Sequence, residues 1–257
     1  VNRIHLARNI TDLEVSRAGV IAIASNEGNV NYIEIRDRQG NEIMTQKSIF
    51  SSSGYLMDLT LSEDGSRMAA IFVSVDKGTL KSRVVFYDLS GENGSNIIAG
   101  SYEQYDSVLL TTIRFMDHDI VSAVGDTAIS LYRFKTEPEL VYEDLEVPWE
   151  IQSLFFSDRY LGMIVEENQT VSRSVMKVMD QKGNYILDLG LDFSYNRVDF
   201  AGENVVMYNN HECLMYSLAG VEKLYYEFDR HIEALKSSDG RHFAYGTNSK
   251  TEFITLK

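Results

Sequence analysis

Leu59-Thr60-Leu61-Ser62-Glu63-Asp64-Gly65-Ser66-Arg67-Met68-Ala69-Ala70 is the stretch on which the fold turns. Leu59 and Leu61 alternate with Thr60 and Ser62, the period-two pattern of a strand with one face in a core. Asp64 can open a turn with its side chain, and Gly65 supplies a positive φ there. Met68-Ala69-Ala70 then begins a second strand of small apolar residues. The same order recurs in Leu13-Glu14-Val15-Ser16-Arg17-Ala18-Gly19-Val20-Ile21-Ala22 and in Leu235-Lys236-Ser237-Ser238-Asp239-Gly240-Arg241-His242-Phe243-Ala244. Degraded copies surround Met116-Asp117-His118-Asp119, Ser157-Asp158-Arg159 and Ala201-Gly202-Glu203.

A second phrase ends a β-branched run in a tight reversal. Tyr32-Ile33-Glu34-Ile35-Arg36-Asp37-Arg38-Gln39-Gly40-Asn41 is echoed by Val175-Met176-Lys177-Val178-Met179-Asp180-Gln181-Lys182-Gly183-Asn184. An aspartate followed three residues later by glycine predicts a short hairpin with a bulge. Val84-Val85-Phe86-Tyr87-Asp88-Leu89-Ser90-Gly91 repeats the phrase, and Leu214-Met215-Tyr216-Ser217-Leu218-Ala219-Gly220 keeps it without the aspartate.

With Gly19, Gly65, Asp119, Asp158, Gly202 and Gly240 as landmarks, the intervals are 46, 54, 39, 44 and 38 residues. A period of forty to fifty with about four strands per unit predicts an all-β protein, a β-propeller of about six four-stranded blades. The expected organisation is a single domain over residues 1–257, with more blades if upstream repeats have been removed. The last unit holds three strand candidates, and Arg3-Ile4-His5-Leu6-Ala7 is a spare strand expected to close the ring by pairing with it. Pro138 and Pro148 are placed at blade joints.

Composition narrows the function. The chain has 38 acidic and 24 basic side chains, a net charge of -14, and no basic block, which argues against a nucleic-acid partner. Cys213 is the single cysteine, so internal disulfides and thiolate zinc clusters are excluded, and its alternating context reads as a buried, inert thiol. The longest apolar stretch, residues 68–73, is too short to span a membrane. The chain begins at Val1, and a trimmed or processed piece is expected, with any anchor or signal upstream.

Catalytic spacings are mostly missing. The glycines form no GxG pair and there is no GxSxG, so dinucleotide loops, P-loops and nucleophile elbows are not built. His5, His118, His211, His231 and His242 are scattered singly, and neither a cofactor nor a metal is expected. Asp117-His118-Asp119 reads as a solvated turn rather than a metal site. Glu143, Asp144 and Glu146, or Glu166 and Glu167, could in principle pair as acid and base of a polysaccharide hydrolase or lyase.

Tyr55, Trp149, Tyr195 and His231 each fall six to eight residues before the following turn, where the chain should cross from one blade's outer strand to the next blade's inner strand. In a propeller such crossings surround one mouth of the central channel. The candidate ligand-binding set is therefore Tyr55, Trp149, Tyr195 and His231, with Tyr102 and Tyr105 nearby. The competing reading, that these rings wedge between blades as packing, carries more weight.

Gly54-Tyr55-Leu56-Met57-Asp58-Leu59-Thr60-Leu61-Ser62-Glu63-Asp64-Gly65, with Val84-Val85-Phe86-Tyr87-Asp88, Glu150-Ile151-Gln152-Ser153 and Phe253-Ile254-Thr255-Leu256-Lys257, resembles an uncharacterised family of WD40-like propeller proteins of Gram-positive bacteria. That resemblance implies a propeller outside the cell, tethered by an N-terminal membrane helix absent from this chain. It carries no catalytic residues across. The leading expectation is a non-enzymatic, monomeric extracytoplasmic module that binds a protein or a cell-wall glycan. The alternatives are a polysaccharide hydrolase or lyase and a cytosolic WD-repeat-type scaffold.

Overall fold

The structure is a computed structural model that describes residues 5–91, 97–167, 173–237 and 239–255. It is all-β apart from one helical turn, α1 (Phe50–Ser53), which the alternation of apolar residues did not predict. The chain divides into two compact units, Val1–Pro148 and Trp149–Lys257.

The first unit holds three antiparallel four-stranded sheets, each formed by consecutive strands. The first is β1 (Asn9–Val15), β2 (Ile21–Glu27), β3 (Val30–Arg36) and β4 (Glu42–Ile49). The second is β5 (Tyr55–Leu61), β6 (Arg67–Asp76), β7 (Thr79–Asp88) and β8 (Ile98–Asp106). The third is β9 (Leu110–Met116), β10 (Ile120–Gly125), β11 (Ile129–Phe134) and β12 (Pro138–Asp144).

The second unit repeats the scheme. Its sheets are β13 (Glu150–Phe156), β14 (Tyr160–Glu167), β15 (Arg173–Asp180) and β16 (Tyr185–Gly190), then β17 (Arg197–Ala201), β18 (Asn204–Tyr208), β19 (Glu212–Ser217) and β20 (Glu222–Glu227). A last sheet has three strands among the described residues, β21 (Ala234–Ser237), β22 (His242–Gly246) and β23 (Thr251–Thr255). Six sheets therefore match the expected six blades. Of the expected closing strand, Arg3 and Ile4 lie outside the described residues, and His5, Leu6 and Ala7 are not in a strand.

The repeated phrases become the hairpins they predicted. Gly19, Gly65, Gly202 and Gly240 all take positive φ between the first and second strands of their sheets. In the third sheet the left-handed residue is Asp117, at φ 60°, so the expected landmark Asp119 lies two residues late. Aspartate tolerates this conformation through local hydrogen bonding, which is why the glycine could be lost there. The reversal between β3 and β4 is closed by Asp37, whose Oδ1 accepts from the backbone of Gln39 at 2.9 Å and Asn41 at 2.8 Å. Asp180 does the same for Lys182 at 2.8 Å and Asn184 at 2.9 Å. Both turns carry the predicted bulge, seen as register shifts at Ile35/Arg36 and Val178/Met179.

Apolar faces of neighbouring sheets meet within each unit. Between the first and second sheets lie Ala22, Ile33, Ile35, Leu56, Leu59, Met68, Phe72 and Val85. Between the second and third lie Ile71, Val84, Phe86, Tyr105, Ile113, Val121, Tyr132 and Phe134. In the second unit Phe155, Ile164, Met176, Val178, Phe200 and Met207 form one core, and Val206, Cys213, Met215, Ile232, Leu235 and Phe243 form another. Each such side chain contributes about 1.5–3 kcal/mol of transfer free energy on burial. Gly162 is required inside β14, because a Cβ there would stand 2.1 Å from the Phe155 ring. Cys213 is buried in β19, and burial pushes its thiol up to about 11, as expected of an inert cysteine.

Pro148 does lie between sheets, after β12, but Pro138 does not: it opens β12, the outer strand of its own sheet. An outer strand tolerates a missing amide at its first residue, so no joint is needed to accommodate the ring.

Candidate functional site

Every sheet has two ends. At one, the first strand passes to the second and, in the five four-stranded sheets, the third passes to the fourth. At the other, the second strand passes to the third, and from the second sheet on the chain arrives at the first strand from the preceding sheet. Tyr55 is the first residue of β5, Trp149 directly precedes β13, and Tyr195 and His231 lie in the connections leading to β17 and β21. All four sit at the arriving end of their sheets, as the spacing predicted.

Their surroundings differ. Tyr55 is 38% exposed and meets Phe50 edge to face at 5.4 Å. Trp149 is half-buried, with the Lys177 ammonium 4.6 Å from its ring centre and Tyr185 edge-on at 6.2 Å. Its indole Nε1 is buried without a hydrogen-bond partner among the described residues. Tyr195 is half-buried and shares a 2.9 Å hydrogen bond with the Ser153 hydroxyl. His231 is exposed, 2.9 Å from the Asn210 amide and edge-on to His211.

Tyr102 and Tyr105 lie on β8 and belong to the core between the second and third sheets. Tyr102 is half-buried and donates to the Pro138 carbonyl at 3.0 Å. Tyr105 is wholly buried, with its hydroxyl against Ser130 and Tyr132. Burial raises the Tyr105 phenol well above its ordinary value, so it stays neutral. Tyr105 offers no surface to a ligand.

The arriving end of the second sheet carries a cleft of about 170 Å³ lined by Ser52, Ser53, Phe72, Ser74, Lys81, Ser82, Arg83 and Glu103. Strand pairing sets Phe72 opposite Arg83 and Ser74 opposite Lys81, so these four share one sheet face. Arg83 donates to the Ser53 carbonyl at 2.9 Å, and its guanidinium stands 5.5 Å from the Phe72 ring centre. The spacing of the aromatic residues does not point to this cleft. Its signal was available, since Lys81 and Arg83 are two apart in a strand and must point the same way.

The inner strands of the first unit hold a second charged group of residues. Bulges at Ile10/Asp12 and Leu56/Asp58 turn two aspartates toward the next sheet. Asp12 Oδ2 accepts from the Leu59 amide at 3.2 Å, and Asp58 Oδ2 accepts from the Ile113 amide at 2.8 Å. Arg114 lies 3.1 Å from Asp58. Burial lifts Asp58 to about 6; Arg114 and the Ile113 amide oppose the rise and neighbouring Asp12 adds to it. Glu14 is also raised, chiefly by burial. Asp12 and Asp58 tie sheet to sheet. Among the others weighed as acid and base, Glu143 accepts from Gln104 at 2.8 Å and Glu167 pairs with Lys177 at 3.0 Å. Among the described residues no three His, Cys, Asp or Glu side chains are grouped to hold a metal.

Solved propellers share this fold. The β-propeller domain of the trilobed protease from Pyrococcus furiosus matches with a TM-score of 0.57 and 14% identity, over 99% of this chain and 82% of that one. Chaetomium thermophilum Sqt1, solved bound to the N-terminus of the ribosomal protein L10, matches with a TM-score of 0.56 and 12% identity, over 92% and 68% of the two chains. The WD40 domain of Neurospora crassa Pan2 gives a TM-score of 0.53 and 10% identity, over 96% and 89%. At these identities the likeness shows the fold alone, a WD40-like β-propeller. No curated protein matches the sequence. Residues 1–256 do match the family described as "Family of unknown function (DUF5711)", and the chain belongs to that family.

Proposed function

We propose that this chain is a non-enzymatic, extracytoplasmic binding module that presents the arriving ends of its sheets to a protein or a cell-wall glycan, held at the membrane by a segment outside the chain. The observation that carries the reading is the cleft of the second sheet. Its Ser74, Lys81 and Arg83 stand on paired strands, Ser52 and Ser53 on α1, and an exposed tyrosine, Tyr55, opens the same sheet beside α1. Side chains on strands hold their geometry better than side chains on loops, and an aromatic ring gives contact area at small entropic cost.

Two further points support binding over hydrolysis. Asp58 accepts from the Ile113 amide and pairs with Arg114, and half-buried Asp12 accepts from the Leu59 amide, so both carboxylates are engaged in joining sheets. Propellers are also recurrent platforms for partners, and Sqt1 was solved with a protein segment bound. Extracytoplasmic placement and anchoring rest on the family resemblance.

A glycan array probed with the purified chain tests the reading. Retention of a wall glycan without cleavage, weakened at least tenfold by Tyr55→Ala at unchanged circular dichroism, is the expected outcome. Release of new reducing ends from a polysaccharide would replace the binding module with an enzyme.

A further inference from the structure

The cleft of the second sheet says more than that something binds. Its ionisable lining is Lys81, Arg83 and Glu103, a net positive set on a chain whose overall charge is -14. The acidic neighbours hold these cations loosely. Arg83 and Glu103 are 3.5 Å apart, and Lys81 stands 3.7 Å from Asp76 and 3.6 Å from Asp106. Asp76, Glu103 and Asp106 all have more than half of their side-chain surface in water. Exposed pairs of this kind contribute about 0–1 kcal/mol, so an incoming anion loses little by displacing them.

Arg83, by contrast, is already positioned. The Ser53 carbonyl fixes one terminal nitrogen, and Phe72 lies beneath the guanidinium. A planar fork held this way is pre-organised for two parallel hydrogen bonds to a carboxylate or phosphate. Lys81, two residues away on the same face, adds a second positive charge.

Ser52, Ser53 and Ser74 complete the lining with hydroxyls that can donate or accept. At about 170 Å³ the cleft is smaller than the pockets that enclose drug-sized ligands. Its apolar contribution is the Phe72 ring, itself buried in the core. A peptide anchor needs an apolar pocket for an aromatic or aliphatic side chain. A charged substituent on a sugar or polyol needs a cation fork and hydroxyl partners, and these are what the cleft provides.

We infer that the cleft between α1, β6 and β7 is a subsite for a single oxyanion, phosphate or carboxylate, carried on a glycan or polyol chain, with Arg83 and Lys81 as its cations. This rests on the binding-module reading and names the chemistry its ligand must have.

The test is calorimetric titration of the purified chain with glycerol phosphate, with an oligomer of glucuronic acid, and with an uncharged glucose oligomer of the same length. Binding of either anionic probe, with no heat from the neutral oligomer, is expected; which anion gives heat identifies the source of the charge. Lys81→Gln, a change at a solvent-facing side chain, should weaken that binding at least fivefold. Arg83→Gln should weaken it at least tenfold, and raised salt should weaken it for the wild type. Equal binding of the neutral oligomer, absence of heat with both anions, or unchanged affinity in Lys81→Gln overturns the inference. So does binding confined to an acidic peptide used in parallel. The outcomes separate the two readings, because a neutral glycan lost on Tyr55→Ala but retained by Lys81→Gln would sink the oxyanion subsite and leave the binding module standing.

Discussion

The first sheet and the fourth place opposite charges in the same slot. Glu34 and Lys177 each lie three residues before the aspartate that closes the β3–β4 or β15–β16 turn, and both are almost wholly buried. Glu34 pairs with Arg8 and with Arg36, the latter at 2.8 Å. Lys177 pairs with Asp188 at 2.5 Å and Glu167 at 3.0 Å. The residue just before the first strand completes each arrangement, Arg8 over the Tyr32 ring at 4.2 Å in one and Trp149 beside Lys177 at 4.6 Å in the other. The residue before the first strand is thus a cation where the slot holds an acid and an aromatic where it holds a lysine.

In these two sheets the slot holds a compensated charge of either sign, whereas in the second and fifth sheets the equivalent residues, Val85 and Leu214, are apolar and buried. Taking an ion out of water is tolerated only with close partners, and both arrangements supply two. Each also leaves one buried donor unpartnered among the described residues, Arg36 Nε and Trp149 Nε1. The difference lies in the partners' exposure. Arg8 and Arg36 are mostly buried, whereas the side chain of Asp188 is 63% exposed. Burial works against the charge on Lys177, but hydrogen bonds to Asp188 and Glu167 outweigh it and hold the ammonium above its ordinary lysine pKa.

This asymmetry can be broken by mutation. Glu34→Ala strands two largely buried guanidinium groups and should cost about 3 kcal/mol or more in urea unfolding. A cost below about 1 kcal/mol would mean that Glu34 compensates nothing.

A buried carboxylate one sheet further on sharpens the point by titration. Asp58 is raised to about 6 in the folded chain. Its contribution to stability is therefore complete below the unfolded carboxylate value, near 4, and is lost as pH rises through 6. Between pH 7 and pH 5 the chain should gain about 1–1.5 kcal/mol from this group, an order-of-magnitude figure. Asp58→Asn should flatten the dependence in that window. A chain whose stability falls on acidification from pH 7 to pH 5 would contradict the assignment.

Lys177→Met should cost less, about 1 kcal/mol, because Asp188 can return to water and the methionine fills the space of the lysine stem. As Trp149 is the single tryptophan, its fluorescence reads the same event directly, and removal of the adjacent cation should shift its emission. The smallest effect belongs to Trp149→Phe, which deletes a donor unpartnered among the described residues and should change stability by no more than about 1 kcal/mol.

These slots also mark how far the sequence could be read. The fold was legible because turns are local chemistry: Asp37 and Asp180 close their reversals with the same hydrogen bonds to residues two and four positions on. Arrival positions were legible for the same reason, and Tyr55 and Trp149 stand where the period put them. What those rings touch was not. Trp149 faces a lysine supplied by another strand, and Tyr105, close in sequence to a crossing, turns inward to Ser130 and Tyr132. Such contacts depend on packing between strands whose residues are 25 or more apart in the chain. The cleft as a whole is not legible in the sequence because it is built from serines and ordinary cations, whose meaning comes only from the strand face and helical turn that bring them together.

The most direct test of the account is hydrogen–deuterium exchange on the full chain with and without a captured ligand. Ligand-dependent protection should concentrate at the arriving end of the second sheet, in residues 50–55, 74–83 and 103–106. Protection confined to the opposite end, around residues 16–19, 62–66 and 88–91, would place recognition on the wrong set of turns and contradict it.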